Sequence, residues 1–275
     1  MRNILILLVA LSITLNGCKD RGAEREAAEI AVTNSYLQCV VKDLWPDEQN
    51  VLCLTPPGMC PGHFDISPAQ VDRLRKCKIL LRFDFQKGID DSLLRMKGKG
   101  LRIASVRALP GLCVPRTYLG ACQDVCHIFS SEYPERNTQY HKRIKQIEKR
   151  LENLSKELVG KLNQTGLAEV KVLASEHQAE FARWLGLEVV ATFLGGDVET
   201  ISNINQCIEK AGQNTVGFVV ANRQEGTALA DALGRRLAAK VVVFSNFPDL
   251  GSGQDNFDEL LAQNVQALLE AAKPR

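Results

Sequence analysis

The sequence lacks an excess of charge of either sign. Its 275 residues include 34 lysines and arginines against 32 aspartates and glutamates, which gives a formal net charge of +2. No basic block and no interleaving of basic with aromatic residues occurs along the chain. Because surfaces that bind nucleic acids are clustered and basic, we expect no nucleic acid partner.

The sequence also lacks the short signatures of several enzyme classes. It contains no His-Glu-x-x-His, no Gly-x-Ser-x-Gly and no Gly-x-x-x-x-Gly-Lys. These patterns supply the zinc ligands of metalloproteases, the nucleophile of α/β-hydrolases and the phosphate loop of NTPases. Their absence argues against an enzyme. An extracytoplasmic zinc hydrolase or a Cys/His nucleophile enzyme stays open as an alternative.

The N-terminal apolar run is short. Arg2 precedes Ile4–Leu15, which is typical of the hydrophobic region of a signal peptide and is too short for a good membrane span. The run ends in Leu15-Asn-Gly-Cys18, which resembles a bacterial lipobox. We therefore predict a lipoprotein signal peptide over residues 1–17, lipidation of Cys18 and a polar tether over residues 18–28. A plain signal peptide and a single spanning helix are the alternatives.

A loop rich in proline and glycine follows an apolar, strand-like run at residues 51–55. Pro56-Pro57-Gly58 ends that run, because proline lacks the amide hydrogen of the strand ladder and glycine permits the turn. Next comes Cys60-Pro-Gly-His63, and then Ser67-Pro68, which supplies an N-cap and a first helical residue. The loop thus leaves the carboxyl end of a strand, where open α/β sheets bind ligands. An ordinary connection with a surface histidine is the competing interpretation, because Cys-x-x-His alone is a weak metal signal.

Strand-like and helical segments alternate along both halves of the chain. This alternation predicts an α/β fold with parallel strands and right-handed crossovers. We predict two parallel-sheet α/β lobes, over residues 29–131 and 164–275, with a ligand cleft between them. Within the first lobe, glycines, prolines and cysteines punctuate residues 108–132, and we predict an irregular segment there.

Residues 132–163 are predicted to join the lobes through one long rigid helix. Apolar residues recur every three or four positions from Tyr140 to Leu162, and nearly all residues between them are charged or carry amides. This pattern predicts an amphipathic helix with a single apolar stripe, roughly 35–40 Å long. A coiled-coil dimer is one interpretation. A helix packed along both lobes is the other interpretation, and in that case we expect the protein to be a monomer.

Eight cysteines remain besides Cys18, at positions 39, 53, 60, 77, 113, 122, 126 and 207. An even number outside the cytoplasm permits disulfides. For the cluster Cys113, Cys122 and Cys126, a disulfide is the first interpretation and a metal thiolate the second. Cys53 and Cys60 flank the turn after a strand and could also pair. The others lie in apolar-periodic segments and are expected to be buried as small hydrophobic residues: Cys39, Cys77 and Cys207.

Three of the four histidines lie near segment ends. His63 follows a strand of the first half, His127 precedes the long helix, and His177 follows the first strand of the second half. The three could converge in the cleft, although chance placement of histidines in loops competes with this interpretation. His141 lies inside the long helix and is most simply a solvated residue.

These stretches resemble the zinc and manganese solute-binding lipoproteins of ABC importers, the TroA-like cluster A-I family with its ZnuA-like members. Residues 51–68 are similar to that family's first ligand loop, Pro-Pro-Gly-x-Asp-Pro-His-x-Tyr-Glu-Pro, with one extra residue here. Cys126-His127-Ile-Phe129 is similar to its His-x-Trp motif. Ser175-Glu176-His177, with Phe181-Ala-Arg-Trp-Leu-Gly-Leu after it, is similar to its third motif with one residue fewer. The resemblance runs from about Ile30 to the C-terminus, and the chain is divergent.

The resemblance implies a lipid-anchored, extracytoplasmic receptor that delivers a divalent metal ion to the permease of an ABC transporter. It implies His63, His127 and either Glu176 or His177 as metal ligands. Zn²⁺ is the first candidate, and Mn²⁺ and Fe²⁺ are the alternatives, because imidazoles and a carboxylate suit all three.

The family's fourth ligand, the aspartate of an Asp-Pro pair, corresponds here to Ser245-Asn246, where no carboxylate stands. Cys60 or Cys126 could replace it, and a thiolate would favour Zn²⁺ or Cu(I) over Mn²⁺. The missing acidic ligand also favours an alternative in which the same fold binds a siderophore or an oxyanion instead of a metal ion.

Overall fold

The computed structural model describes residues 28–47, 50–56, 59, 66–94 and 100–273. The predicted signal peptide, the predicted lipidation site Cys18 and the candidate ligands Cys60 and His63 lie outside these residues. None of the helices in the described ranges combines the length and the hydropathy that a membrane span requires.

The first lobe is built on a four-stranded parallel sheet in the order β2-β1-β3-β4. Its strands are short apolar runs, and every residue of β3 is buried because helices cover both faces of the sheet. The strands have these bounds: β1 Ile30–Val32, β2 Val51–Cys53, β3 Ile79–Phe83 and β4 Arg102–Val106. The helices have these bounds: α1 Ser35–Leu44, α2 Pro68–Leu74, α3 Gly88–Leu94 and α4 Pro115–Glu132.

The second lobe repeats this arrangement, with a parallel sheet in the order β6-β5-β7-β8. In each lobe the first strand lies beside the third, and the chain reverses its direction across the sheet between them. Ligands bind at such switch points in open α/β sheets. The strands have these bounds: β5 Lys171–Ser175, β6 Glu188–Phe193, β7 Phe218–Asn222 and β8 Lys240–Phe244. The helices have these bounds: α6 Glu176–Trp184, α7 Ile201–Gln213, α8 Ala228–Leu237 and α9 Phe257–Ala272.

One long helix, α5 (Asn137–Asn163), joins the lobes, as the sequence predicts. Its apolar stripe is buried, and Ile147 is only 1% exposed. Arg150, halfway along, forms ion pairs with Asp43 of α1 at 2.6 Å and with Asp258 of α9 at 3.1 Å. The helix therefore packs along both lobes, and the same hydrophobic cluster includes residues of both lobes and of the helix. The predicted fold class, two parallel α/β lobes joined by a long helix, is confirmed.

The prediction of an irregular segment over residues 108–132 is wrong for most of its length, because α4 occupies Pro115–Glu132. Proline is tolerated at the first helical position, so Pro115 opens the helix instead of breaking it. The predicted disulfide among Cys113, Cys122 and Cys126 is also wrong, since all three are free thiols, buried in the core. Cys53 is likewise free. The predicted burial of the remaining three cysteines is confirmed: Cys39, Cys77 and Cys207.

Candidate metal site

The exit of β5 presents a histidine to solvent above a buried hydroxyl group. Ser175 is the last residue of the strand and is fully buried, and α6 starts at the next residue. His177 lies in the first turn of α6, and 59% of its side chain is exposed. The amide of Asn246, after β8, donates a hydrogen bond to the backbone oxygen of His177 at 3.4 Å. The exits of β5 and β8 are thus in contact at the backbone of His177.

Glu225 ties the exit of β7 to the exit of β5. It is the third residue of a short 3₁₀ helix, Arg223–Glu225, that follows β7. Its Oε1 lies 2.6 Å from Nδ1 of His177, and its Oε2 accepts a hydrogen bond from the Ser175 hydroxyl at 2.6 Å. The carboxylate side chain is 17% exposed. Both of its oxygens therefore have partners on the neighbouring strand exit.

The electrostatics of this pair favour an ionised carboxylate. The hydrogen bond to Glu225 raises the pKa of His177 above its usual value, although partial burial opposes this. Burial by itself raises the pKa of Glu225, but the hydrogen bonds from His177 and Ser175 outweigh that effect and leave the pKa lowered. A negative charge is thus held directly behind the imidazole.

The exit of β8 is neutral and buried, at the position where the family resemblance places an acidic ligand. Ser245 and Asn246 are each 4% exposed, and the amide of Asn264 in α9 both accepts from the Ser245 backbone and donates to it. The side chain of Gln224 binds both residues as well. The thiol of Cys113, from the first lobe, donates to the carbonyl oxygen of Ser245 at 3.0 Å. The exit of β8 is thus filled by neutral groups that are paired with one another.

The first lobe offers neutral groups at its own switch point. The hydroxyl of Thr33, after β1, donates to the side-chain oxygen of Gln86, after β3, at 2.6 Å. Asn34 caps α1 by accepting a hydrogen bond from the backbone of Leu37. These residues are buried, and none of them titrates in the physiological range. Any charged or imidazole ligand from this lobe would have to come from its other loops.

The candidate residues of the sequence analysis are only partly brought together. Glu176 and His177 are exposed neighbours at the start of α6. His127 is exposed on α4, twelve residues beyond Pro115 or about 18 Å along the helix axis. Among the described residues no group of three or more His, Cys, Asp or Glu side chains could hold a metal ion. The ligand set as a whole therefore stays a prediction.

The sequence-based prediction does not include Glu225, because it rests on histidines and on a carboxylate after β8. Arg223-Gln-Glu225 follows the buried apolar strand β7, so the rule that identifies His177 also applies to Glu225. The pairing itself depends on β5 lying beside β7, which the sheet order reveals and the sequence does not.

A family model described as "Zinc-uptake complex component A periplasmic" (ZnuA) matches residues 115–271, more than half of the chain. The match covers α4, the linking helix and nearly all of the second lobe. No curated protein sequence shows significant similarity to the chain.

Solved structures of similar fold include a crystal structure of ZnuA, with a TM-score of 0.71 and 18% identity over 90% of this chain and 100% of that one. A zinc-bound deletion mutant of ZnuA has a TM-score of 0.71 and 18% sequence identity, over 91% of this chain and 100% of that one. The Mn-bound periplasmic metal binding protein of Candidatus Liberibacter asiaticus has a TM-score of 0.73 and 10% sequence identity, over 89% of this chain and 99% of that one. At these identities the likeness establishes a shared fold.

Proposed function

The chain belongs to the family of zinc-uptake complex component A periplasmic proteins, and from this premise we propose that it captures a divalent metal ion outside the cytoplasm for import. Zn²⁺ is the first candidate cargo, with Mn²⁺ and Fe²⁺ as alternatives. The observation that carries the proposal is His177. Its imidazole lies at a strand exit of the second lobe, largely exposed, with Nδ1 engaged and Nε2 the nitrogen left for a ligand.

The proposed ligand set draws on both lobes. His63 and Cys60 would come from the loop after β2, and His177 or its neighbour Glu176 from the start of α6. His127 is the weakest member of the set, because it lies well along α4. A site with three or four such donors suits zinc, which prefers closed tetrahedral coordination by nitrogen, sulfur and oxygen in sites without catalysis.

The proposed cellular setting follows the family. The protein would be a monomer attached to the outer side of a bacterial membrane through a lipid on Cys18, and it would deliver the ion to an ABC transporter permease. Capture and release require no chemical step, so we propose a binding protein and not an enzyme.

Calorimetric titration of the metal-free protein with Zn²⁺, Mn²⁺ and Fe²⁺ tests the proposal. His63→Ala and His177→Ala should each weaken binding by more than about 100-fold, which exceeds the usual effect of losing an outer-shell partner. His141→Ala is the matched control, because His141 is exposed on α5 and lies outside the proposed set. Wild-type protein that binds none of the three ions would contradict the proposal.

A second candidate function rests on the neutral exit of β8. Because Ser245 and Asn246 are buried and paired where the family resemblance places an acidic ligand, the cleft could instead hold a siderophore or an oxyanion. Native mass spectrometry of protein purified without a histidine tag would separate the two candidates. A bound metal ion supports the first, and a bound organic or oxyanionic species of defined mass supports the second.

A further inference from the structure

The two lobes contain the same side-chain contact at the same place in the fold. In each lobe a hydroxyl group at the exit of the first strand donates a 2.6 Å hydrogen bond to the third residue of a 3₁₀ helix that follows the third strand. The pair is Thr33 with Gln86 in the first lobe and Ser175 with Glu225 in the second. The contact itself is therefore a feature of the fold and does not depend on a charge.

What differs between the lobes is the charge of the accepting side chain. The first lobe uses a neutral amide, Gln86, which accepts from the Thr33 hydroxyl and from the Phe83 backbone. The second lobe uses a carboxylate, Glu225, and its other oxygen receives the imidazole of His177 at 2.6 Å. Since a glutamine suffices for the structural contact, the carboxylate in the second lobe requires another explanation.

Glu225 is held in one position. Ser175 and His177 occupy its two oxygens, and its side chain passes close to Gly195 after β6, where an added Cβ would lie 3.2 Å from the Cβ of Glu225. Each carboxylate oxygen is thus directed at a side chain of the neighbouring strand exit. The geometry of Glu225 is that of an outer-shell partner that orients a histidine ligand.

We propose that Glu225 is a positioning residue that fixes His177 with its proton on Nδ1 and its lone pair on Nε2, the nitrogen that would bind the metal ion. This inference rests on the proposed function for the identity of the bound ion, but the fixed tautomer is a property of the metal-free protein. A carboxylate behind a histidine raises the basicity of the ligating nitrogen. Glu225 would thereby supply from behind His177 the negative charge that the exit of β8 lacks.

The tautomer of His177 is measurable by ¹⁵N NMR of metal-free protein, at a pH where the imidazole is neutral. We expect the proton on Nδ1 in the wild type, and we expect Glu225→Ala to lose that preference, because the free side chain has no partner to select it. Glu180→Gln is the matched control: Glu180 lies one turn along α6 from Glu176 and forms an ion pair with Arg183. A wild type with its proton on Nε2, or an alanine variant that keeps the wild-type tautomer, would overturn the proposal.

Calorimetric titration with Zn²⁺ supplies the second measurement. Glu225→Gln gives the second lobe the neutral amide that the first lobe already has in Gln86, so it should fold. Its affinity for Zn²⁺ should fall by about 10-fold or more, the usual range for losing a carboxylate behind a histidine ligand. Unchanged affinity in this variant would overturn the positioning role. Failure of the wild type to bind any metal would instead overturn the proposed function, and the tautomer measurement would still decide the role of Glu225.

Discussion

The thiol of Cys113 donates a hydrogen bond to the carbonyl oxygen of Ser245 at 3.0 Å, and this contact joins the two lobes. Cys113 belongs to the segment between β4 and α4, and Ser245 follows β8. Both residues are buried, and Asn264 of α9 also contacts the thiol. The lobes are therefore joined at this point by a packed, neutral contact.

Cys113 should be unreactive toward alkylating reagents in the folded protein. Burial raises the pKa of its thiol, so neither access nor thiolate is available. We expect modification by N-ethylmaleimide to be slower by orders of magnitude in native protein than in guanidinium chloride, as followed by peptide mass spectrometry. An exposed cysteine introduced by Gln146→Cys on α5 is the control and should react at once. Equally fast reaction of Cys113 in native protein would show that the contact between the lobes opens.

The packing of the lobes also depends on the absence of a side chain at Gly111. An added Cβ would lie 2.8 Å from the Cβ of Glu180 in α6, and the backbone φ of Gly111 is +73°. Gly166 has a similar φ of +68° but nothing within 4 Å, so Gly166→Ala isolates the backbone strain. We expect Gly111→Ala to lower the free energy of unfolding by about 1–3 kcal/mol more than the control, the range for overpacking. Equal effects in urea denaturation would mean that α6 moves aside freely.

Most of the fold could be predicted from the sequence, because apolar strands and the stripe of α5 are signals within single segments. The apolar runs Ile79–Phe83 and Lys240–Phe244, for example, form β3 and β8. The sequence does not predict α4, because Pro115 and Gly120 are typical of a break in a helix. Proline fits the first helical position, and a Cβ added at Gly120 would lie 3.7 Å, an ordinary contact distance, from Leu109.

The candidate site could be predicted only in part, for a different physical reason. His177 was found because it follows a strand directly. Its partner Glu225 is 48 residues away, and the two meet because β5 and β7 are adjacent in the sheet. Such a pair depends on the order of strands, which the periodicity of a sequence does not contain.

The apolar stripe of α5 predicts a large loss of stability on introducing a charge at Ile147. This residue is 1% exposed and belongs to the core that both lobes share. Ile147→Asp should lower the free energy of unfolding by roughly 3 kcal/mol or more, because it buries a carboxylate without a partner. Lys145→Asp, two residues away on the exposed face, should change it by less than about 0.5 kcal/mol. Chemical denaturation measures both, and similar stabilities for the two variants would contradict the packing of the helix.

The ion pair between Arg107, after β4, and Asp124 of α4 should make the free energy of unfolding depend on pH in the acid range. Burial alone would raise the pKa of the Asp124 carboxyl, but hydrogen bonds from the Arg107 side chain and backbone outweigh it and lower the pKa. A carboxyl group whose pKa is lower in the folded protein stabilises the fold at pH values above its pKa in the unfolded chain, about 3.9. This contribution is lost as the pH falls through the pKa of the folded protein.

Asp124→Asn should therefore be less stable than the wild type at pH 7, and the difference should shrink below about pH 4. Urea denaturation between pH 3 and pH 7 measures the difference. Asp72→Asn is the control, since Asp72 is 72% exposed and its ion pair with Arg75 lies on the surface, where such pairs contribute little. A difference for Asp124→Asn that stays constant with pH would refute the assignment.

Gly195 and Gly196 offer a matched test of how firmly Glu225 is held. Neither glycine has a left-handed backbone, so alanine is compatible with both backbones. At Gly195 a Cβ would lie 3.2 Å from the Cβ of Glu225 and 3.4 Å from its Cγ, whereas at Gly196 it would meet nothing within 4 Å. Such a contact can relax only if Glu225 moves by a few tenths of an ångström. Because Ser175 and His177 hold both carboxylate oxygens, we expect that movement to be resisted.

Gly195→Ala should therefore lower the free energy of unfolding by about 1 kcal/mol or more, as overpacking does, and it should shift the ¹⁵N signals of His177. Gly196→Ala should leave those signals in place and be neutral or slightly stabilising, because it restricts only the unfolded chain. Urea denaturation and NMR of the two variants in parallel give the comparison. If the two alanines behave alike in both measurements, Glu225 is free to move, and its carboxylate cannot be what fixes the orientation of His177.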